Sequence, residues 1–192
     1  MQIQAVQVVV GFDFTKSATV ALRRSLALAA RAPWHVLHIV CAIEPHAPVP
    51  AVPHRGRVTY EYAELVQHEL TSAIARELRE AEITEPIQFY VHARIGRPAS
   101  EILHLAREVG AELVIVGTKE LGGIERALLG SVAAEVVRDA WCTVEVARPM
   151  MYPRVDLVSV REVDAVHRYV PPHRYRYDQT CATLRPDEWR LY

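Results

Sequence analysis

Cysteine is scarce in this chain, and its placement excludes two common designs. Cys41, Cys142 and Cys181 are scattered without any C-x-x-C pair, which argues against a zinc ribbon and a disulfide framework and fits a reducing cytoplasm. An excess of one charge is equally lacking, with 22 Lys and Arg against 23 Asp and Glu and a formal net charge of −1. The broad basic surface that non-specific nucleic-acid binding needs is therefore missing, and no nucleic-acid partner is expected. The opening "MQIQAVQVVVGFD" has no basic n-region and an apolar run of strand length only. Neither a signal peptide nor a membrane span is expected from it. Enzyme signatures are absent too: there is no G-x-x-x-x-G-K-[ST], no G-x-G-x-x-G after the first apolar run and no G-x-S-x-G.

What is present is an ordinary globular composition, 51% apolar and 23% charged over 192 residues, enough for one core and an appendage. Between residues 5 and 148, apolar strand-like runs alternate with helical periodicity, the pattern of a parallel sheet covered by helices. The first run, Val6 to Phe12, is nearly all β-branched, as a strand buried on both faces should be. Thr15 to Ala32 predicts a helix with Thr15 as N-cap and Ala18, Ala21, Leu22, Ser25, Leu26 and Ala29 on one stripe. A second strand is expected over Trp34 to Ala42. The segment "IEPHAPVPAVPHRG" after it is too rich in proline for regular structure and reads as a surface loop. Helical spacing returns over 58 to 82 and a strand follows at 87 to 93. The next helix opens at Pro98 and closes at Gly110. A strand at 111 to 117, a helix from Ser131 to Arg138 and the strand "CTVEVAR" complete five strands and about four helices.

In an open parallel sheet, ligands sit beyond the carboxyl ends of the strands, where strand order reverses. Two strand ends carry suitable chemistry. The first ends in Gly11-Phe12-Asp13, whose carboxylate suits a ribose or a base. The fourth ends at Gly117 and leads through a glycine-bearing loop to Ser131, where a hydroxyl and the first N–H groups of a helix would face a phosphate. Plainer readings stand beside these. Asp13 suits a cap for the helix beginning near Thr15, and Gly122-Gly123 would let the loop turn with or without an anion. His38 reads as a packed core histidine and Cys142 as a small apolar filler.

These features together resemble the universal stress protein family over about residues 4 to 148. Its nucleotide-binding members carry G-x2-G-x9-G-[ST] after the fourth strand, and the spacing is met here by Gly117, position 120 and Gly130-Ser131. One position departs, since the second glycine is Glu120. "VVVGFDFTKSA" matches the family's strand-end aspartate and following hydroxyl residue in Asp13 and Thr15. The resemblance implies a doubly wound, Rossmann-like α/β domain, usually dimeric, with an adenine-nucleotide site for ATP or AMP, and Mg accompanying ATP. By the same alignment Ile39 takes the place whose main chain meets adenine, while Gly117, Gly130, Ser131 and Val132 take ribose and phosphate places. The final strand, Thr143 to Val146, takes that of the edge through which family members pair.

Glu120 is unfavourable for an anion because it brings a carboxylate towards a polyphosphate and replaces the residue most tolerant of close backbone approach. Lys119 beside it offsets part of that charge. Three readings of function are therefore kept. The first is a cytoplasmic regulatory or stress-response protein that binds ATP or AMP at the switch point. The second is a nucleotide-independent dimeric platform that docks a partner through residues 149–192. A slow ATPase ranks third, because no general base is identifiable. Residues 149–192 hold five of the 12 prolines and Tyr152, Tyr169, Tyr175, Tyr177, Trp189 and Tyr192. Such aromatic content predicts an arm that packs on something, with "HRYRYDQT" able to add a strand to an open edge.

Overall fold

Val8, Val9 and Val10 are fully buried in succession, so the first strand has apolar matter on both faces and the fold is built outward from it. The computed structural model describes residues 4–54, 56–118 and 129–149, together with the backbone of 175–176 and 185–186. The chain runs through β1 (Val6–Gly11), α1 (Lys16–Arg31), β2 (His35–Ile43), α2 (Tyr60–Glu80) and β3 (Gln88–Ile95). It continues through α3 (Pro98–Val109), β4 (Leu113–Gly117), α4 (Ser131–Asp139) and β5 (Thr143–Ala147). The sheet has five strands in the order β3-β2-β1-β4-β5, and every pairing is parallel. Strand order reverses between β1 and β4. This is the expected doubly wound α/β architecture, with element ends displaced by a residue or two from those read in sequence.

Each face of the sheet has its own core. Leu22 and Leu26 of α1 and Leu70 and Ile74 of α2 close over Leu37, Ile39 and Ile115 on one side. Ile102 and Leu105 of α3 and Val136 of α4 cover Val9, Val40 and Val114 on the other. The stripe expected on α1 is the buried one, and Thr15 caps that helix by accepting from the Ala18 N–H at 3.2 Å. Gly110 ends α3 in the left-handed region, with φ at 63°.

The proline-rich segment after β2 is irregular yet anchored. Tyr62 of α2, 1% exposed, accepts a hydrogen bond from Val49 N at 2.8 Å and donates one to Val52 O at 2.7 Å. Glu145, the one charge within β5, is held by Arg24 of α1, whose Nε lies 2.6 Å from its Oε1. Its carboxylate is thereby engaged on the α1 face of the sheet.

The chain divides into two units, Met1–Pro149 and Met150–Tyr192. In the second, β6 (Tyr175–Arg176) pairs antiparallel with β7 (Arg185–Pro186). The other expectations for the arm, including its aromatic packing, lie outside the described residues.

Candidate functional site

Beyond the carboxyl ends of β1 and β4, the amino ends of α1, α3 and α4 meet around a cleft of about 570 Å³, within the size range of small-molecule sites. Gly11, Asp13 and Thr15 form one wall, with Gly117 and Thr118 at the end of β4 and Gly130, Ser131 and Val132 at the start of α4. The structure thus places six of the candidate residues along one cleft. Lys119 and Glu120 lie outside the described residues.

The resemblance assigns adenine to the main chain of Ile39, and its side chain points away from the cleft. Neighbouring residues of a strand point to opposite faces, and Ile39 is sealed in the α1–α2 core. Val40 and Ala42 supply the β2 part of the lining instead. The parity was not readable from "HVLHIVCAI", because nearly every position in it is apolar.

The turn after β1 is built from its own side chains. Phe14 takes the left-handed region with φ at 64°, and its ring meets Phe12 edge-on at 5.1 Å between centroids. That conformation is costly for a bulky residue and is held here by packing. Asp13 Oδ1 accepts from Thr15 N at 3.0 Å and from Thr15 Oγ1 at 2.6 Å. Asp13 therefore supports the cap of α1, as the plainer reading has it. No partner for its Oδ2 occurs among the described residues, which leaves one carboxylate oxygen of this exposed lining residue uncommitted.

Gly117 is required by packing. A Cβ there would stand 2.6 Å from the Ser17 carbonyl carbon and 2.9 Å from Ala18 N, and closer still to the Ser17 oxygen. The end of β4 is pressed against the first turn of α1. Thr118, missed in the sequence reading, is 1% exposed, and its Oγ1 has no hydrogen-bond partner among the described residues. An orphaned buried hydroxyl is expensive in a folded chain. Its only sequence signal is its place directly after Gly117. The N-cap of α4 is Gly130, which offers no side-chain cap to the first N–H groups of that helix.

Thiol chemistry has no support near the cleft. Burial first, and the charge of Asp13 second, push the Cys41 thiol up to about 12, so it carries no thiolate at neutral pH. Burial also raises Cys142. Among the described residues no group of three or more His, Cys, Asp or Glu is placed to hold a metal ion, and no helix is long and apolar enough to cross a membrane.

The universal stress protein family model matches residues 6–148. Universal stress protein MJ0531 of Methanocaldococcus jannaschii is 35% identical over 86 residues, 45% of this chain and 50% of that relative, so this chain spans about half the relative's length. Among solved structures, universal stress protein UspA of Lactobacillus plantarum shares the fold, with a TM-score of 0.54 at 21% identity, covering 77% of this chain and 100% of that one. A universal stress protein solved in complex with cAMP is 25% identical with a TM-score of 0.52, covering 76% of this chain and 98% of that one. With the family model spanning most of the chain and the same architecture recurring in these structures, the chain belongs to the universal stress protein family.

Proposed function

We propose that this protein binds an adenine nucleotide, AMP or ATP, in the cleft between β1 and β4 and acts as a regulatory stress-response protein through binding. The observation that carries the reading is a single cleft lined both by the uncapped amino end of α4 and by Thr118, whose hydroxyl has no partner among the described residues. Free helix N–H groups and an unpaired hydroxyl together form a donor set for an anion. Ser131 and Val132 would hold the phosphate, and Asp13 the ribose or base against Val40 and Ala42. The related structure that contains cAMP supports the same ligand class. Asp13 is the single carboxylate and Lys16 the single cation among the described lining residues. Mg would accordingly arrive on the phosphates of ATP, and Asp13 is the one carboxylate of the described lining that could help to hold it.

Glu120 is expected to weaken this binding. At roughly 5 Å and an effective dielectric of about 20 to 80, each charge repulsion amounts to about 1 to 3 kcal/mol. Glu120→Gly should therefore tighten AMP or ATP about tenfold by calorimetric titration. Equal affinities in both forms would remove Glu120 from the explanation, and binding by neither would favour a platform without nucleotide. Thr118→Val offers a second check. Removing an orphaned hydroxyl should stabilise the free protein by about 1 kcal/mol while weakening nucleotide binding severalfold. A variant less stable than the parent would contradict the role given to this hydroxyl.

The platform reading is favoured by a different observation. β5 is an edge strand, and its one carboxylate is already tied to Arg24, so the charge does not guard the edge. A homodimer through Thr143 to Val146 is proposed on that ground, with residues 149–192 as the arm that meets a partner. Light scattering at micromolar concentration should give twice the chain mass. A monomer unchanged by Glu145→Val would exclude this surface.

A further inference from the structure

Away from the cleft, three strands are joined by an array of rings that the proposed function does not use. His38 of β2, 7% exposed, places Nδ1 3.2 Å from His92 Nε2 on β3 and Nε2 2.9 Å from Gln7 Oε1 on β1. Its ring stacks on Tyr90, with centroids 5.0 Å apart, and on His92, with centroids 5.4 Å apart. The protons can be assigned from this network. The Gln7 oxygen only accepts, so His38 Nε2 carries its hydrogen, and the bare His38 Nδ1 accepts from His92 Nε2–H. We propose that His38 and His92 form an acid-sensing pair, which ties edge strand β3 to the sheet when neutral and loosens it when protonated.

With the Gln7 amide turned the other way the hydrogens of the network change ends, and one nitrogen of the bond between the rings is a bare acceptor in either case. A proton added at His38 Nδ1 would set two donors face to face and break the bond between the rings. A proton added at His92 Nδ1 would create a cation beside Arg94. The groups facing the pair are Gln7 from β1, Tyr90 and Arg94 from β3 and, from α3, Glu101 and Glu108. Arg94 already holds both carboxylates, with Nε 3.5 Å from Glu101 and Nη2 2.7 Å from Glu108. Burial lowers His38 from the ordinary histidine value. For His92, burial first, then His38 and Arg94, outweigh the opposing pull of Glu108 and lower it as well. A divalent cation between the rings is disfavoured by the same Arg94 and by the want of a third ligand among the described residues.

In the unfolded chain these imidazoles take up protons near the usual value of about 6.5, and in the folded chain only at lower pH. Below about 6.5 the unfolded state therefore binds more protons, and stability falls as pH falls; above it the contribution is complete. The strand affected lies at an end of the sheet, with β2 as its only strand neighbour among the described residues. It leads directly into α3, whose Pro98 and Ile102 line the cleft, so its loosening would reach that site whether or not nucleotide is bound.

Thermal unfolding of the full chain from pH 7.5 to 5.0 tests this against His92→Gln, whose amide N–H keeps a donor for His38 Nδ1 and does not titrate. The parent midpoint should fall about 2 to 4 °C further than that of the variant, and parallel falls would overturn the proposal. If the variant does not fold, histidine ring signals and β3 amide exchange in the parent decide. Two rings titrating below about 6.5, with faster β3 exchange across the same window, support the pair. All rings titrating at or above that value, or unchanged β3 exchange, overturn it.

Discussion

Replacing Gly117 by Ala is expected to lower stability by about 3 kcal/mol, the upper range for forcing atoms into a packed interior. The contacts an added Cβ would meet belong to the Ser17 and Ala18 backbone, which cannot turn aside as a flexible side chain would. Either the first turn of α1 moves, with its Thr15 cap and the Asp13 turn, or β4 is displaced from between β1 and β5. Both routes disturb the cleft, so nucleotide affinity should fall along with stability. Urea unfolding of the two proteins measures the effect. A loss below about 1 kcal/mol would show that α1 gives way easily. An unchanged unfolding curve with lost binding would assign this glycine to the ligand alone.

Tyr62→Phe should cost about 2 kcal/mol, which lowers the melting midpoint by about 4 to 8 °C in a domain of this size. The hydroxyl is held at 2.8 Å by Val49 N and at 2.7 Å to Val52 O, and both valines are buried. Deleting one oxygen orphans a donor and an acceptor where water does not reach. The loop that Tyr62 pins follows β2, which lends Val40 and Ala42 to the cleft, so a smaller loss of nucleotide affinity is expected as well. Differential scanning calorimetry checks the first effect. A midpoint within about 1 °C of the parent would mean that the loop holds its place by other means.

The parts of this molecule that sequence makes legible are the local and periodic ones. The α1 stripe from Ala18 to Ala29 shows because roughly 3.6-residue spacing separates its apolar face, and Thr15 and Gly110 show because caps have residue preferences. The reversal between β1 and β4 followed from the family resemblance and from two strand ends bearing Asp13 and Gly117. Contacts made by distant segments were hidden. His38 finds His92 across 54 positions, and Gly117 owes its identity to Ser17, far earlier in the chain. Tyr62 lies within the helical spacing of 58 to 82, where nothing local shows that its hydroxyl meets Val49 and Val52 of the preceding loop. Ile39 illustrates a different limit: a strand buried on both faces has no alternation from which to tell its sides.

The central claim is that the cleft between β1 and β4 holds an adenine nucleotide, and residue-resolved titration tests it most directly. With AMP added to isotope-labelled full-length protein, the account predicts saturable shifts of the Thr118, Ser131 and Val132 amides. Those of α2, which lends no residue to the cleft, should stay in place. Absence of any saturable shift at millimolar AMP or ATP, or shifts confined to residues outside the cleft, would contradict it.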